Sequence, residues 1–291
     1  MHKLKAIYFY NHFHSGDIFV SKEFVRWMVH NIPAKKYFYC HYNSSKLVAD
    51  IPELIIQNEI PKPQANYWSL ENDCLYANTW YAACEHVYFK YKTSLLTLYD
   101  LFSCELKKVL NIDLPNFIPD FIPEIDYKFF KTQNAEKFLE TARASKKIFI
   151  SNGKVLSGQS ENFDFNSIVN ILAKRYPDIL FLLSNNDKHR ITYKNVLYTK
   201  DIININENDL NENSYITNFC DIIVGRNSGT QSYAFTKENM KKNSKFISFT
   251  RSKNCYDFGL SKWYPDRFIH SRDFTQEAII NTISKYINQI D

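Results

Sequence analysis

The chain has 291 residues, 45% of them hydrophobic, 16% aromatic and 23% charged, proportions of an ordinary globular protein rather than a disordered or fibrous one, and long for a single domain. No run of about 18 apolar residues would cross a bilayer, and Asn11, His12 and His14 break the N-terminal apolar stretch before it becomes a secretory core, so a cytoplasmic protein is expected. The net charge of +5 comes from scattered Lys and Arg, which suits small anions or a membrane surface and argues against a nucleic-acid groove.

Taken in order, KLKAIYFY reads as a strand, and Val20, Phe24, Trp27, Met28 and Ile32 recur at helical spacing after Asp17. KYFYCHY is a second strand. The pattern blurs through Pro52, Pro61 and Pro63, resumes as a strand in DCLYANTWYA, and continues as an amphipathic helix over residues 95–110. Pro115, Pro119 and Pro123 then disfavour helix and mark a linker, dividing the chain into residues 1–125 and 126–291. In the second half strands and helices alternate at βαβ spacing: KKIFIS, DILFLLSN, NVLYT, CDIIVG and SKFISFT as strands; FDFNSIVNILAKRY, DLNENSYITNF and TQSYAFTKENM as helices. A final helix begins at Asp273, with Gln276 three residues on in a capping-box pattern. The fold class expected is α/β: two Rossmann-like domains with mostly parallel sheets facing a cleft.

Only six glycines occur, and all fall after predicted strands: Gly16, Gly153, Gly158, Gly225, Gly229 and Gly259. Glycine admits positive φ and close approach of a ligand to the backbone, and in open α/β sheets ligands bind beyond the carboxyl ends of the strands. The loop Gly225-Arg226-Asn227-Ser228-Gly229-Thr230 offers a cation, helix-capping side chains and glycine amides, all suited to phosphate oxygens. SNGKVLSGQS is similar in kind, with Asn152, Gly153 and Lys154 after one strand, and Ser184 and Asn185 end the next. Walker, dinucleotide-fingerprint and G-x-S-x-G patterns are absent, which removes support for ATP hydrolysis, NAD chemistry and serine hydrolysis. The six cysteines form no C-x-x-C pair and suit a reducing compartment. His12 and His14, with His41 as a remote third ligand, raise a zinc site, but hydrogen bonding or packing explains them better, and no metal is expected. Tyr67, Trp68, Trp80, Tyr81, Trp263 and Tyr264 could stack on sugar rings, although core packing is the commoner use of such side chains.

The pairing of an early S-G-D-I-F with a later D-I-I-V-G-R-N-S-G-T resembles the two-domain glycosyltransferases of the GT-B fold, most like the heptosyltransferase group; the N-terminal stretch is also similar to the H-x-R-x-G-D of protein O-fucosyltransferases, with His14 in place of its Arg. The resemblance implies metal-independent inverting transfer of a sugar from a nucleotide-sugar donor to a glycan or lipid-linked acceptor, such as a bacterial surface polysaccharide, at the inner face of the membrane. No cofactor is implied, because the nucleotide sugar is the substrate. Asp17 is then the general base, with His14 beside it and His12, Ser15 and Gly16 on the acceptor side. Asn152, Gly153, Lys154, Ser184, Asn185, Arg226, Asn227, Ser228, Gly229 and Thr230 face the donor. Asp17 also has a plainer reading as the cap of the first helix. Two alternatives stand beside transfer: a non-catalytic module that binds a phosphosugar or nucleotide, and a nucleotide-sugar epimerase or hydrolase of the same fold.

Overall fold

A computed structural model describes residues 3–12, 14–61, 68–80, 94–116, 118–142, 146–156, 158–185, 190–204, 209–251 and 257–289. The chain divides into two compact units: Met1–Phe129 with Tyr256–Gly259, and Phe130–Cys255 with Leu260–Asp291.

The first unit is built on strands β1 (Ala6–Tyr10), β2 (Tyr37–Cys40), β3 (Leu54–Gln57), β4 (Ser69–Glu71) and β5 (Cys74–Asn78). Their order is β3-β2-β1-β5-β4, parallel except for β4 against β5. That antiparallel pair is a hairpin with Asn72 and Asp73 at φ 51° and 62°, and left-handed backbone at both central positions is what the right-handed twist of a tight hairpin demands. Helices α1 (Ser15–Asn31) and α2 (Ser94–Leu110) supply apolar faces. Phe24 of α1 meets Phe102 of α2 at 4.7 Å between ring centroids and stacks on Phe121 at 4.5 Å.

The second unit holds β6 (Lys146–Ser151), β7 (Ile179–Leu183), β8 (Val196–Tyr198), β9 (Ile222–Arg226), β10 (Lys245–Phe249) and β11 (Phe268–Ser271). The sheet is parallel throughout, in the order β11-β10-β9-β6-β7-β8. Its helices are α3 (Gln133–Thr141), α4 (Phe165–Arg175), α5 (Thr199–Ile203), α6 (Leu210–Thr217), α7 (Gly229–Ser232), α8 (Lys237–Lys241) and α9 (Gln276–Ile287). Strands buried on both faces become continuous apolar runs, as in the five fully buried residues of β7. Ile168, Val169 and Leu172 of α4 and Ile279, Ile280 and Ile283 of α9 join Ile179, Phe181 and Leu183 in one core.

The expected α/β class with two mostly parallel sheets is what the chain adopts. Two local expectations are corrected. TQSYAFTKENM is not one helix: Thr236 is extended, accepts from the Asn239 N–H at 3.2 Å and starts α8 afresh. The last helix is capped by Thr275, not Asp273; Asp273 instead accepts from the Thr275 N–H and hydroxyl.

Candidate functional site

Both sheets have a point at which the chain reverses its direction of growth, the place where open α/β sheets bind ligands. In the second unit the chain proceeds outward from β6 to β8, crosses back to β9, and proceeds to β11, so the point lies between β6 and β9. Ser151 and Gly225 are register partners at the strand ends there. A Cβ on Gly225 would lie 3.0 Å from Ser151 Cβ and 3.0 Å from the Gln231 side chain, so only glycine lets α7 approach β6 this closely.

Gly153, Asn185 and Thr230 converge above that point: a Cβ on Gly153 would lie 3.1 Å from Asn185 Nδ2 and 3.4 Å from Thr230 Oγ1. Asn152 arranges the group. Its Oδ1 accepts from Ser184 Oγ at 3.1 Å and from the Asn185 N–H at 2.8 Å, while its Nδ2 donates to the Asn185 carbonyl at 2.9 Å. Ser228 caps α7 by accepting from the Gln231 N–H, and its hydroxyl lies 2.9 Å from Thr230 Oγ1, itself 3.3 Å from Ser151 Oγ. Asn152, Ser184 and Ser228 are buried, whereas Gly153, Asn185, Gly229 and Thr230 are half-open and Lys154 is exposed. Three separate loops thus bring hydroxyl, amide and glycine backbone groups to one edge of the sheet.

Two of the residues expected to face the donor face inward. Asn227 donates from its backbone to Phe249 and from Nδ2 to Thr250 Oγ1 at 3.2 Å, which ties the ends of β9 and β10. Arg226 is buried, at 4% exposure. Its Nη1 donates to the carbonyls of Asn152 (2.7 Å) and Gly153 (2.9 Å), Nε to Glu161 (3.1 Å) and Nη2 to Phe163. The guanidinium lies 4.7 Å from the ring centroids of both Phe163 and Phe165. The expectation that Arg226 is presented to a phosphate is therefore corrected, because its donor fork is turned onto the loop that follows β6.

In the first unit the reversal lies between β1 and β5, where the Thr79 N–H and hydroxyl both donate to the Tyr10 carbonyl, at 2.9 and 3.2 Å. His12 and His14 follow β1 rather than lie on it. His12 packs edge-on against Tyr10 at 5.5 Å, and His14 is exposed at the cap position of α1 with no capping bond from its side chain. Ser15 Oγ lies 3.5 Å from Ser44 Oγ, and Gly16 is half-buried in the first turn. His41, raised as a remote third ligand, uses Nδ1 to accept from the N–H groups of Asn43 (3.1 Å) and Ser44 (2.9 Å). Among the described residues no group of three His, Cys, Asp or Glu side chains is placed to hold a metal ion.

Asp17 is not the cap of α1; it sits in the first turn, three residues beyond the cap position. Burial pushes its carboxyl up to about 7, and the N–H groups of His14 and Asp17 itself only partly offset that. A carboxyl that titrates near neutrality is poised to exchange a proton. Of the aromatic residues considered for sugar stacking, Trp68 is buried and donates Nε1 to the Asn78 carbonyl at 2.8 Å, Trp80 and Tyr264 are half-buried, and Trp263 is exposed. Tyr67 and Tyr81, like Cys84 and Cys255, lie outside the described residues.

No family model matches the sequence, and no curated protein matches it. Solved structures do match the fold. The glycosyl transferase of family 9 from Veillonella parvula is 9% identical with a TM-score of 0.55, over 98% of this chain and 92% of that one. The ADP-heptose LPS heptosyltransferase II of E. coli is 12% identical with a TM-score of 0.57, over 98% and 99%. The UDP-GlcNAc 2-epimerase of Neisseria meningitidis, bound to UDP-GlcNAc, is 14% identical with a TM-score of 0.53, over 97% and 91%. Across that range of chemistry the shared property is the fold, and the chain has a GT-B-like one.

Proposed function

We propose that the protein is a glycosyltransferase that takes a sugar from a nucleotide-sugar donor, with the donor diphosphate held at the β6/β9 edge of the second unit. The observation that carries the reading is the convergence of Gly153, Asn185 and Thr230 from three loops at the reversal point of a parallel sheet. Gly153 lets the side chains of Asn185 and Thr230 close against its backbone, which brings amide and hydroxyl donors to one place, and exposed Lys154 supplies a cation on the same loop. Asp17 is the base that takes the proton from an acceptor hydroxyl as the sugar leaves in an inverting displacement. Its elevated pKa supports this role, because a base that titrates near the working pH is both available and strong enough to accept the proton. His14, Ser15 and Gly16 border the acceptor side, and a glycan or lipid-linked acceptor at a membrane surface suits the mild positive charge.

Thermal unfolding against a panel of nucleotides and nucleotide sugars tests the donor site. A ligand at a hundred times its dissociation constant adds about 2.7 kcal/mol to stability. A stabilising nucleotide sugar, weakened at least tenfold by Asn185→Ala, is the expected result; no shift with any member at millimolar concentration would sink the proposal. Asp17→Asn should keep the shift and lose sugar transfer. Turnover of the donor sugar without any acceptor would favour an epimerase or hydrolase instead.

A further inference from the structure

The loop that follows β6 runs over the ends of β9 and β10 and is pinned at three levels. At its base, Arg226 reaches from the end of β9 to four carbonyls on both arms of the loop, those of Asn152 and Gly153 on the outgoing arm and of Glu161 and Phe163 on the returning one. Nearer the tip, Asn162 closes the loop by itself: its Oδ1 accepts from the Val155 N–H at 2.8 Å and its Nδ2 donates to the Val155 carbonyl at 2.9 Å, as a paired strand would. Beyond that, Thr250 and Arg251 bond the Gln159 carbonyl. Leu156, 87% exposed, stands out from the tip.

A guanidinium is suited to the base of such an arch. Its planar fork spreads donors over several carbonyls, and its carbon lies 4.7 Å from the ring centroids of Phe163 and Phe165, whereas an ammonium on a flexible stem has no planar fork to bridge the carbonyls. Because Arg226 draws the carbonyls of Asn152 and Gly153 to itself, it sets the direction in which the backbone of Gly153 and Lys154 faces at the β6/β9 edge. We infer that Arg226 is a positioning residue: it holds the Asn152–Phe163 arch in the shape that receives a nucleotide diphosphate and does not itself touch the phosphates. This inference rests on the donor site proposed above.

Arg226→Lys and Arg226→Met separate positioning from contact. A phosphate-contacting cation would be replaced serviceably by lysine, which keeps the charge; a fork that bridges four carbonyls would not. Inorganic pyrophosphate and the nucleotide diphosphates of the panel are titrated calorimetrically into wild type and both variants, and amide hydrogen exchange is read over residues 152–163. The expected result is that both variants, still folded by near-UV circular dichroism, lose affinity about tenfold or more, to within a factor of two of each other, with faster exchange on both arms of the arch. Asn162→Ala should speed exchange around Val155 alone. Near wild-type affinity in Arg226→Lys, with Arg226→Met impaired, would overturn the inference, as would unchanged arch exchange in both variants. If wild type binds none of the ligands while exchange rises in both variants, the donor-site reading fails and the arch clamp stands; if a variant does not fold, the exchange and affinity of the other decide.

Discussion

The two units bury charge in opposite ways. On α1 of the first unit, Lys22 pairs with Asp50 at 2.6 Å with both side chains inaccessible, Arg26 bonds Asp50 at 3.0 Å, and Glu23 pairs with Arg26 while accepting from the Glu124 N–H at 2.8 Å. In the second unit Arg226 and Arg267 turn their forks to backbone carbonyls, Arg267 reaching Asn239 (2.6 Å), Met240 (2.8 Å) and Ser244 (3.1 Å). A pair of opposite side-chain charges stands or falls together. A cation held by peptide dipoles depends on backbone geometry instead, and in return fixes that geometry. The first arrangement therefore anchors α1, whose first turn carries Asp17, and the chain at Glu124 and Asp126; the second shapes loops.

Breaking the side-chain network should have the largest effect. Asp50→Ala leaves buried Lys22 without its carboxylate, half-buried Arg26 with Glu23 alone, and the Asp126 N–H without its acceptor, so a loss of about 3–5 kcal/mol in denaturant unfolding is expected. Replacing both members of the pair, as Lys22→Met with Asp50→Leu, should recover much of that loss, because Lys22 then carries no buried charge and Arg26 keeps Glu23, while the Asp126 N–H still lacks its acceptor. Arg267→Met should cost less, about 1–3 kcal/mol, since carbonyls that lose a donor are neutral groups. Equal losses for Asp50→Ala and Arg267→Met would erase the distinction between the two units. Gly225→Ala tests the close approach at β6/β9. The new methyl meets Ser151 and Gln231 at 3.0 Å, and Gln231 cannot swing aside while Nε2 donates to Ile247 and Oε1 accepts from Ser248, so about 1–3 kcal/mol of strain is expected.

What the sequence disclosed follows from how much of the deciding physics is local. β6, α2 and β7 were legible because apolar runs and helical spacing are properties of neighbouring residues. β3 was missed because LIIQ is four residues long and lies among prolines, and β4 because SLE is three residues long and owes its state to the Asn72-Asp73 turn and its pairing with β5. β11 was missed because FIHS shows little alternation and owes its state to pairing with β10. At the candidate site the glycines and small polar residues of three loops were legible, and the structure brings Gly153, Asn185 and Thr230 together. The direction of Arg226 was not. Its partners lie 63 to 74 residues away, and arginine at the end of a strand is ordinarily exposed, so no local pattern announces a guanidinium set against Phe163 and Phe165. Asp17 was legible as an acid near the start of α1, but its place in the first turn rather than at the cap was set by where the chain leaves β1.

The effect that depends on pH, and the most informative, is at Asp17. In the unfolded chain its carboxyl titrates near 3.9, and in the folded protein burial raises that to about 7. Between those values the folded state keeps a proton that the unfolded state has released, so the contribution of Asp17 to stability is lost as pH rises through that window and is level above it. Asparagine does not titrate. The melting temperature of Asp17→Asn minus that of wild type should therefore become more positive from pH 5 to pH 8, while transfer by the wild type should rise across the same interval as the base ionises. A difference that is flat with pH would mean that the carboxyl is not held away from water, and the helix-terminal role of Asp17 would then suffice to explain it. A difference that grows, with activity that grows alongside it, ties the cost of burying this carboxyl in the first unit to the chemistry, a trade that none of the paired charges on α1 makes.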